Sequence, residues 1–564
     1  MAVDSTLLED DIAARERALD PATSFIVQAP AGSGKTELLI QRYLRLLAVV
    51  SHPEEILAIT FTRKAAYEMR LRVITAMKDA ESGVHADTAH AQLTLGLAQK
   101  ALERDAERGW RLTQSPSRMR IETVDAFSAG IARSLPLSSG IGGIANTVAD
   151  AEMEAIYRRA AEATLDYLSE KGFAGDAVER ILSHLDNNIA LYVGYVSRML
   201  ASREQWLGIT GGGIAGSGNM DAVRDRLESN ISDVIERQLV VVDSLLPPVC
   251  RQELPVLLAG AGENLRDDGK VEHALTTFID RTRLPSPLAD ERVAWRAIAD
   301  LLLTQAGDWR KTVNKNQGFP PTDKENKRRI VDLLDALRDL HELREYLATV
   351  RTLPSPAYAD DQWEVLVALF DLLPLAVAEL QRLFAERGMC DHNEVALAAG
   401  RALGSGDEPG EGALLLDYRI QHLLVDEMQD TSISQYDLLR TLTEGWTGDD
   451  GRTIFCVGDP MQSIYRFRDA EVGEFLQAWQ RGISSIRLEQ LTLRRNFRSG
   501  EHLVHWFNTV FLQVMPLRDD IATGAISYTE SVPVEPRSGQ GEHVIHALFD
   551  ADPDQEAAHT EQVA

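Results

Sequence analysis

Phe25-Ile-Val-Gln-Ala-Pro-Ala-Gly-Ser-Gly-Lys-Thr36 is the stretch on which the reading of the fold turns. Phe25 to Val27 is a short apolar run of strand character. A loop of small residues follows and closes on Gly34-Lys35-Thr36, where an amphipathic segment begins at once. Leu38, Leu39, Tyr43, Leu46 and Leu47 share one helical face, with Arg42 and Arg45 expected off it. Strand, tight loop and helix in that order make a phosphate cradle. Small residues let backbone N–H groups approach phosphate oxygens, and the helix N-terminus adds partial positive charge. Lys35 is placed to reach the β- and γ-phosphates, and the Thr36 hydroxyl to ligate Mg²⁺. The expected nucleotide-binding residues are therefore Ala29, Pro30, Ala31, Gly32, Ser33, Gly34, Lys35 and Thr36. Ala29 stands where the strict pattern has glycine, a difference of one methyl group.

Outward from the loop, residues up to about 136 alternate strands and helices. Ile56 to Thr60 is a second strand, and Ala65 to Met77 a helix with Ala66, Met69, Val73 and Met77 inward. Met119 to Thr123 is a third strand. From about 137 to 410 helical patterns dominate, as in Glu152 to Leu168, Ala222 to Leu239 and Arg328 to Leu347. The apolar run Val365 to Leu380 contains Asp371, Pro374 and Glu379, so it reads as a buried helix pair and not as a membrane span. Gly208 to Gly218 follows no strand and reads as a surface loop, and Gly404 to Gly412 as a linker. Strands return at Ile420 to Val425, Thr453 to Val457 and Ile486 to Leu493. The simplest topology is one α/β domain with a large helical insertion.

The formal net charge of −28 disfavours indiscriminate polyanion binding, so a nucleic-acid site must be a local basic track on an acidic body. Cys250, Cys390 and Cys456 are far apart, with neither zinc-finger spacing nor enough thiolates for a four-cysteine cluster. A reducing cytoplasm fits, and the acidic N-terminus lacks a signal-peptide core. Inside the helical region Arg310, Lys311, Lys315, Lys324, Lys327, Arg328 and Arg329 cluster beside Trp309 and Phe319, against Asp323 and Glu325. This reads either as a solvated face or as an arm touching duplex DNA.

Leu423-Leu-Val-Asp-Glu427 is an apolar strand ending in two carboxylates. Beside the phosphate loop, Asp426 can hold Mg²⁺ and Glu427 can polarise the attacking water. Ile454-Phe-Cys-Val-Gly-Asp459 is another strand, and Pro460-Met-Gln-Ser-Ile-Tyr-Arg-Phe-Arg468 follows it. The neutral amide of Gln462 can hydrogen-bond a γ-phosphate. Tyr465 and Phe467 interleave with Arg466 and Arg468, which suits base stacking beside phosphate contacts.

Taken in order, these motifs resemble those of the UvrD/Rep-type superfamily 1 DNA helicases, and within them the RecB/AddA-like helicase subunits. The resemblance rests on Ala29-Pro-Ala-Gly-Ser-Gly-Lys-Thr36, Ile56-Leu-Ala-Ile-Thr-Phe-Thr-Arg-Lys-Ala-Ala66, Thr123-Val-Asp-Ala-Phe127, Val425-Asp-Glu-Met-Gln-Asp-Thr431, Val457-Gly-Asp-Pro-Met-Gln-Ser-Ile-Tyr465 and Asn496-Phe-Arg-Ser499. It implies a RecA-like P-loop NTPase sheet, ATP with Mg²⁺, and 3′-to-5′ movement on single-stranded DNA in double-strand-break repair or recombination. Glu427, Gln462 and Arg498 would be catalytic, with Arg498 an arginine finger, and Gln429 would couple nucleotide state to DNA. Phe497 would pack on adenine, and Thr60, Phe61, Thr62, Tyr465, Phe467 and Arg468 would contact DNA. The implied partners are single-stranded and tailed duplex DNA and a nuclease/helicase partner subunit, with no membrane.

The domain organisation this suggests is 1–136 and 413–490 for the first motor domain, 137–412 for a helical insertion, and 491–564 for the start of a second RecA-like domain. The family's later motifs and a nuclease-like carboxylate cluster are not found, so the sequence reads as the N-terminal part of a longer protein. Two departures stand out. The family's adenine-reading glutamine should fall near Arg15 in Ala14-Arg-Glu-Arg-Ala18, where there is none, which leaves nucleotide preference open. Arg468-Asp-Ala470 replaces the common Arg-Gly-Ala. A nucleotide- and DNA-binding module without its own helicase activity is the alternative; a P-loop kinase fits the Asp-Glu-x-Gln-Asp run poorly.

Overall fold

The apolar runs of four to six residues pair into one parallel sheet. In the computed structural model, which describes residues 2–141, 146–147, 150–210, 220–405, 408–410, 412, 416, 419–463, 472–516, 518–521 and 524–534, the strands are β1 (Phe25–Gln28), β2 (Ile56–Thr60), β3 (Arg120–Thr123), β4 (His422–Val425), β5 (Thr453–Gly458) and β6 (Glu489–Thr492). Their order is β6-β1-β5-β4-β2-β3, and every pairing is parallel. β1, β2, β4 and β5 read as nearly unbroken apolar runs because both faces of the sheet are covered. One face packs Phe25, Val27, Ala58, Leu424 and Phe455 against helices α2 (Lys35–Leu47), α3 (Arg63–Glu81) and α4 (Ala89–Arg108). The other packs Ile26, Leu57, Val425 and Cys456 against Phe127, Leu439 and Phe475. Parallel pairing puts the carboxyl ends of all six strands along one edge.

Strand β6, within the run Ile486 to Leu493, extends this same sheet beyond β1, with Leu491 opposite Val27. A separate two-stranded parallel pair joins Arg495–Asn496 to Val532–Pro533. Arg42, expected off the apolar face of its helix, is fully buried. Its guanidinium donates to the carbonyls of Ala18, Asp20 and Thr23 and lies 5.5 and 5.4 Å from the centres of the Phe25 and Phe455 rings. A planar fork whose two terminal nitrogens are met by carbonyls can be buried where an unpaired charge cannot, even with Nε left without a partner.

The chain divides into two compact units, residues 1–159 with 197–206 and 380–564, and residues 160–196 with 207–379. The second is helical, with a core of Leu239, Leu254, Trp295, Ile298, Phe319, Leu333 and Leu347. Phe319 of the basic cluster is thus fully buried, and Trp309 packs against the same core. The Phe319 ring is therefore not offered to a ligand, and the Trp309 ring only in part. The run Arg328 to Leu347 is two helices, Lys324–Leu337 and His341–Val350. Leu337, Leu340 and Leu343 keep helical spacing across the turn, so the pattern conceals it. Conversely, the expected helix pair around Pro374 is one continuous helix, Asp360–Arg387. Burial of Leu372, Leu373, Ala376 and Val377 outweighs the roughly 3 kcal/mol that an interior proline costs. The glycine-rich run Gly208 to Gly218 falls mostly outside the described residues.

Candidate nucleotide-binding site

At the carboxyl edge of the sheet the turn after β1 is shaped by two glycines with positive φ, Gly32 at 80° and Gly34 at 78°. A Cβ on Gly32 would lie 2.7 Å from Asn496 Oδ1 and 2.9 Å from Arg498 Cβ, so only glycine fits. Gly34 caps α2 with no side-chain hydrogen bond, which leaves the first N–H groups of that helix to a ligand. Ser33 is buried, and its hydroxyl has no hydrogen-bond partner in the structure. A buried polar atom without a partner is costly, and a phosphate oxygen on this loop would supply one. Ala29, the departure from glycine, is fully buried, with its N–H donating to Gly458 O at 2.8 Å.

Three more strand ends converge here. After β4, Asp426 donates its backbone N–H to Ile59 O of β2. Burial, followed by the neighbouring Glu427, pushes the Asp426 carboxyl up to about 7. A cation beside it would reverse that preference. Glu427 forms an ion pair with Lys35 of the loop. It adopts the left-handed conformation, φ 52°, which is strained for a residue with a side chain and typical of functional turns. Gln429 is buried and bridges two strand ends: its Nε2 donates to Glu427 Oε2 at 2.8 Å, and its Oε1 accepts from Asp459 N at 2.8 Å. A Cβ on Gly458 would approach Gln429 Oε1 to 2.6 Å, so this bridge also requires glycine. Burial raises the Asp459 carboxyl, which accepts from Gln462 Nε2. Asp430 is likewise raised, to about 6, by burial and then by Glu427.

The segment after β6 closes over the loop. Phe497 N donates to Gly32 O at 2.8 Å, and Asn496 Nδ2 to Ala31 O at 3.2 Å. Asn496 Oδ1 accepts from Arg498 N and Ser499 N, which fixes the turn that presents Phe497 and Arg498. Both of those residues are exposed. The structure therefore brings Glu427, Phe497 and Arg498 to the loop that carries Lys35, with Gln462 bonded to Asp459 at the end of β5. For Mg²⁺, Thr36 and Asp426 offer a hydroxyl and a carboxylate. Among the described residues no group of three or more His, Cys, Asp or Glu stands ready to hold a metal alone. A donor set this small suits Mg²⁺, which is usually held by one or two protein oxygens together with phosphates and water.

The residues expected along DNA are placed unequally. Thr60 is buried and its hydroxyl donates to Thr62 O at 3.2 Å, so its side chain shapes the turn after β2 and lines no surface. Phe61 is half-buried, and Thr62 is exposed and caps α3 by accepting from Ala65 N. Arg63, Lys64 and Tyr67 are exposed on the first turns of that helix. Arg63, Tyr67, Arg70, Arg133 and His392 border a groove of about 430 Å³. Tyr465, Phe467 and Arg468 lie outside the described residues. Sequence reasoning missed Asp459 as a site residue, although it ends a strand as Asp426 does. It also missed Asp11, whose role depends on residues nearly five hundred positions away.

A parallel α/β sheet with a phosphate loop, two strand-end carboxylates and an arginine-bearing segment over the loop defines a P-loop nucleotide-binding domain. The family model of the UvrD/REP helicase N-terminal domain matches residues 12–198 and 320–481, more than half of the sequence, and the chain belongs to that family. Relatives named as ATP-dependent helicase/nuclease subunits match along nearly all of it. That of Exiguobacterium sibiricum is 26% identical over 539 residues, which are 92% of this chain and 41% of the relative. That of Lysinibacillus sphaericus is 24% identical over 551 residues, 92% and 40% of the two chains. That of Bacillus anthracis is 24% identical over 527 residues, 87% and 38%. The chain thus spans about two fifths of the length of these curated relatives. Among the described residues no helix is long and apolar enough to cross a membrane.

Proposed function

We propose that this chain carries the ATP-hydrolysing and single-strand-binding part of a cytoplasmic DNA helicase that moves 3′ to 5′ in double-strand-break repair or recombination, alongside a helicase/nuclease partner subunit. The observation that carries the reading is the convergence of Lys35, Glu427, Gln429, Asp459, Phe497 and Arg498 on one phosphate loop. The helicase half is supported by the family and by relatives named helicase/nuclease subunits.

Lys35 counters the charge of the β- and γ-phosphates of ATP. Its ion pair with Glu427 opens as the phosphates take the ammonium, and the freed carboxylate accepts a proton from the attacking water. Thr36 and Asp426 would hold Mg²⁺, which when bound neutralises charge developing on the β- and γ-oxygens. Gln462 exchanges its bond to Asp459 for one to the γ-phosphate. Arg498 steadies the transition state, a class of contact worth about 10³–10⁵ in rate. Phe497 stacks on the base. Gln429 ties Glu427 to the end of β5, so loss of the γ-phosphate moves that strand end. Tyr465, Phe467 and Arg468, some residues further along the chain, then join Phe61 and Thr62 as the single-strand path.

Steady-state ATP hydrolysis with and without a single-stranded oligonucleotide tests the coupling, and strand displacement on a 3′-tailed duplex tests the direction. Turnover that rises with single strands supports the reading. A chain that binds nucleotide and single strands without DNA-dependent turnover is a binding module instead.

A further inference from the structure

Beside the phosphate loop stands a charged residue that phosphate chemistry does not use. Arg15 lies near the end of helix α1 (Ala2–Arg17), its guanidinium carbon 5.3 Å from the centre of the Phe497 ring. Asp11 fixes it: Nε donates to Asp11 Oδ2 at 2.7 Å, and Nη2 to Asp11 Oδ1 at 3.2 Å. Nη2 also donates to Ser33 O of the loop at 2.6 Å. Asp11 is fully buried and accepts in addition from Arg494 N at 2.7 Å and Arg495 N at 3.2 Å. One carboxylate therefore ties α1, the loop and the segment bearing Phe497 into a fixed arrangement. The Arg15 donors left for a ligand are those on Nη1. A Cβ on Gly34 would lie 3.7 Å from Nη1 and 3.6 Å from the Phe497 ring. Arg15, Gly34 and Phe497 line one pocket of about 810 Å³, together with Glu37, Asp79 and Asp87. A nucleotide whose phosphates rested on the loop would have this pocket open to its base.

The polar groups of that pocket have opposite senses. Glu37, which already accepts from Thr94 Oγ1 at 2.9 Å, Asp79 and Asp87 are acceptors, Arg72 is a second donor, and an exocyclic amino group of either purine can donate to a carboxylate there. Arg15 only donates. The Nη1 group of Arg15 can donate to N7 or O6 of guanine, whereas adenine keeps N7 but sets an amino donor where guanine has O6. We infer that Arg15 makes this a purine site that takes guanine at least as readily as adenine, so that GTP as well as ATP is a substrate. The inference rests on the reading of the loop as a nucleotide site.

Competition of ATP and GTP against a fluorescent ADP analogue, with steady-state hydrolysis of each, tests it on the full 564-residue chain. GTP is expected to bind from equally well to about tenfold more tightly than ATP, and turnover to follow the same ratio. Arg15→Gln replaces a donor-only head by one that also accepts, and shifts the ratio toward ATP by about tenfold. Arg15→Lys remains donor-only and keeps the ratio, so it decides the matter if the glutamine variant fails to fold. A wild-type preference for ATP beyond about threefold overturns the inference and leaves the nucleotide site standing, because a donor-only head gives adenine no such advantage. Binding of neither nucleotide overturns both.

Discussion

The two units of this chain bury polar groups very differently. Among the described residues Thr164, bonded to the hydroxyl of the equally buried Tyr192, is the only fully buried non-aromatic polar side chain of the helical unit. In the sheet unit Asp11, Ser33, Arg42, Gln429, Asp430, Asp459 and Asn496 are all buried, and most stand at the carboxyl edge of the sheet or on the loop beside it. Burying a polar group is costly unless its hydrogen bonds are met, so such groups persist where an arrangement requires them. The helical unit is built on apolar burial around Trp295 and Phe319, and its ion pairs, such as Arg329 with Glu253, are only partly buried. The sheet unit is held by apolar burial on both faces and by a polar lattice at one edge. The chemistry proposed for this chain falls at that edge, where several strand ends must keep registration with a loop.

The largest effect that would undo this contrast is at the loop. Lys35→Ala should lower nucleotide hydrolysis by at least about a hundredfold, since it removes a charge aimed at the transferring phosphate. The melting temperature should stay close to that of the wild type, because Lys35 pairs only with a partly exposed carboxylate. Hydrolysis that survives the change would move the site away from this loop.

Next in size is the buried ion pair of Arg203 and Asp391. Asp391 accepts from Arg203 at 2.6 and 2.7 Å, from the Tyr157 hydroxyl at 2.6 Å and from Glu394 N. Asp391→Ala should destabilise the sheet unit by about 3–5 kcal/mol, the cost of stranding a buried charge. Thr164→Ala, the corresponding change in the helical unit, should cost about 1 kcal/mol for the missing bond to Tyr192. Denaturant unfolding of the two variants measures the gap between the units; equal losses would erase it.

A third test uses pH. His422 of β4 is buried, its Nδ1 is 2.7 Å from Thr453 Oγ1, and burial holds its imidazole down at about 4. The unfolded chain takes up this proton near pH 6.5 and the folded chain only near 4. Stability is therefore full above pH 6.5 and falls as pH drops from 6.5 to 4, by at most about 3 kcal/mol. Chemical denaturation across that range should show the slope in the wild type and a shallower one in His422→Gln. Equal slopes would assign the acid sensitivity to other groups.

The smallest effect concerns the surface of the helical unit. Two of the seven basic residues are engaged within the unit, Arg329 with Glu253 and Arg310 with Asp300 O. Neutralising Lys324, Lys327 and Arg328 should flatten the salt dependence of duplex binding by about 0.9 for each phosphate no longer met. An unchanged slope would make this a solvated face and deepen the contrast between the units.

The strands and the loop were legible because apolar runs bounded by glycine and acidic residues leave few alternatives. The place of Glu427 at a strand end beside the loop was legible from the apolar run that precedes it. Its left-handed backbone was not, because its partners Lys35 and Gln429 meet it only where separate strand ends come together. Asp11 was silent for the same reason: its partners Arg494 and Arg495 meet it only in the folded sheet unit. Arg15 was visible as a departure from the family pattern, but not as a group clamped beside Phe497. In the helical unit the spacing through Leu340 concealed a turn, and Pro374 suggested one that burial overrides.

Everything proposed for this chain depends on the carboxyl edge of the sheet hydrolysing a nucleoside triphosphate with Glu427 as the base. The decisive experiment compares ATP–Mg²⁺ binding and steady-state hydrolysis for the wild type and Glu427→Gln, in the presence of a single-stranded oligonucleotide. The amide keeps the shape of the side chain and can still meet Gln429, but it cannot accept the proton of the attacking water. Binding should be retained and turnover should fall by about 10²–10⁴, the usual weight of a positioned general base. Hydrolysis by Glu427→Gln at the wild-type rate would refute the assignment.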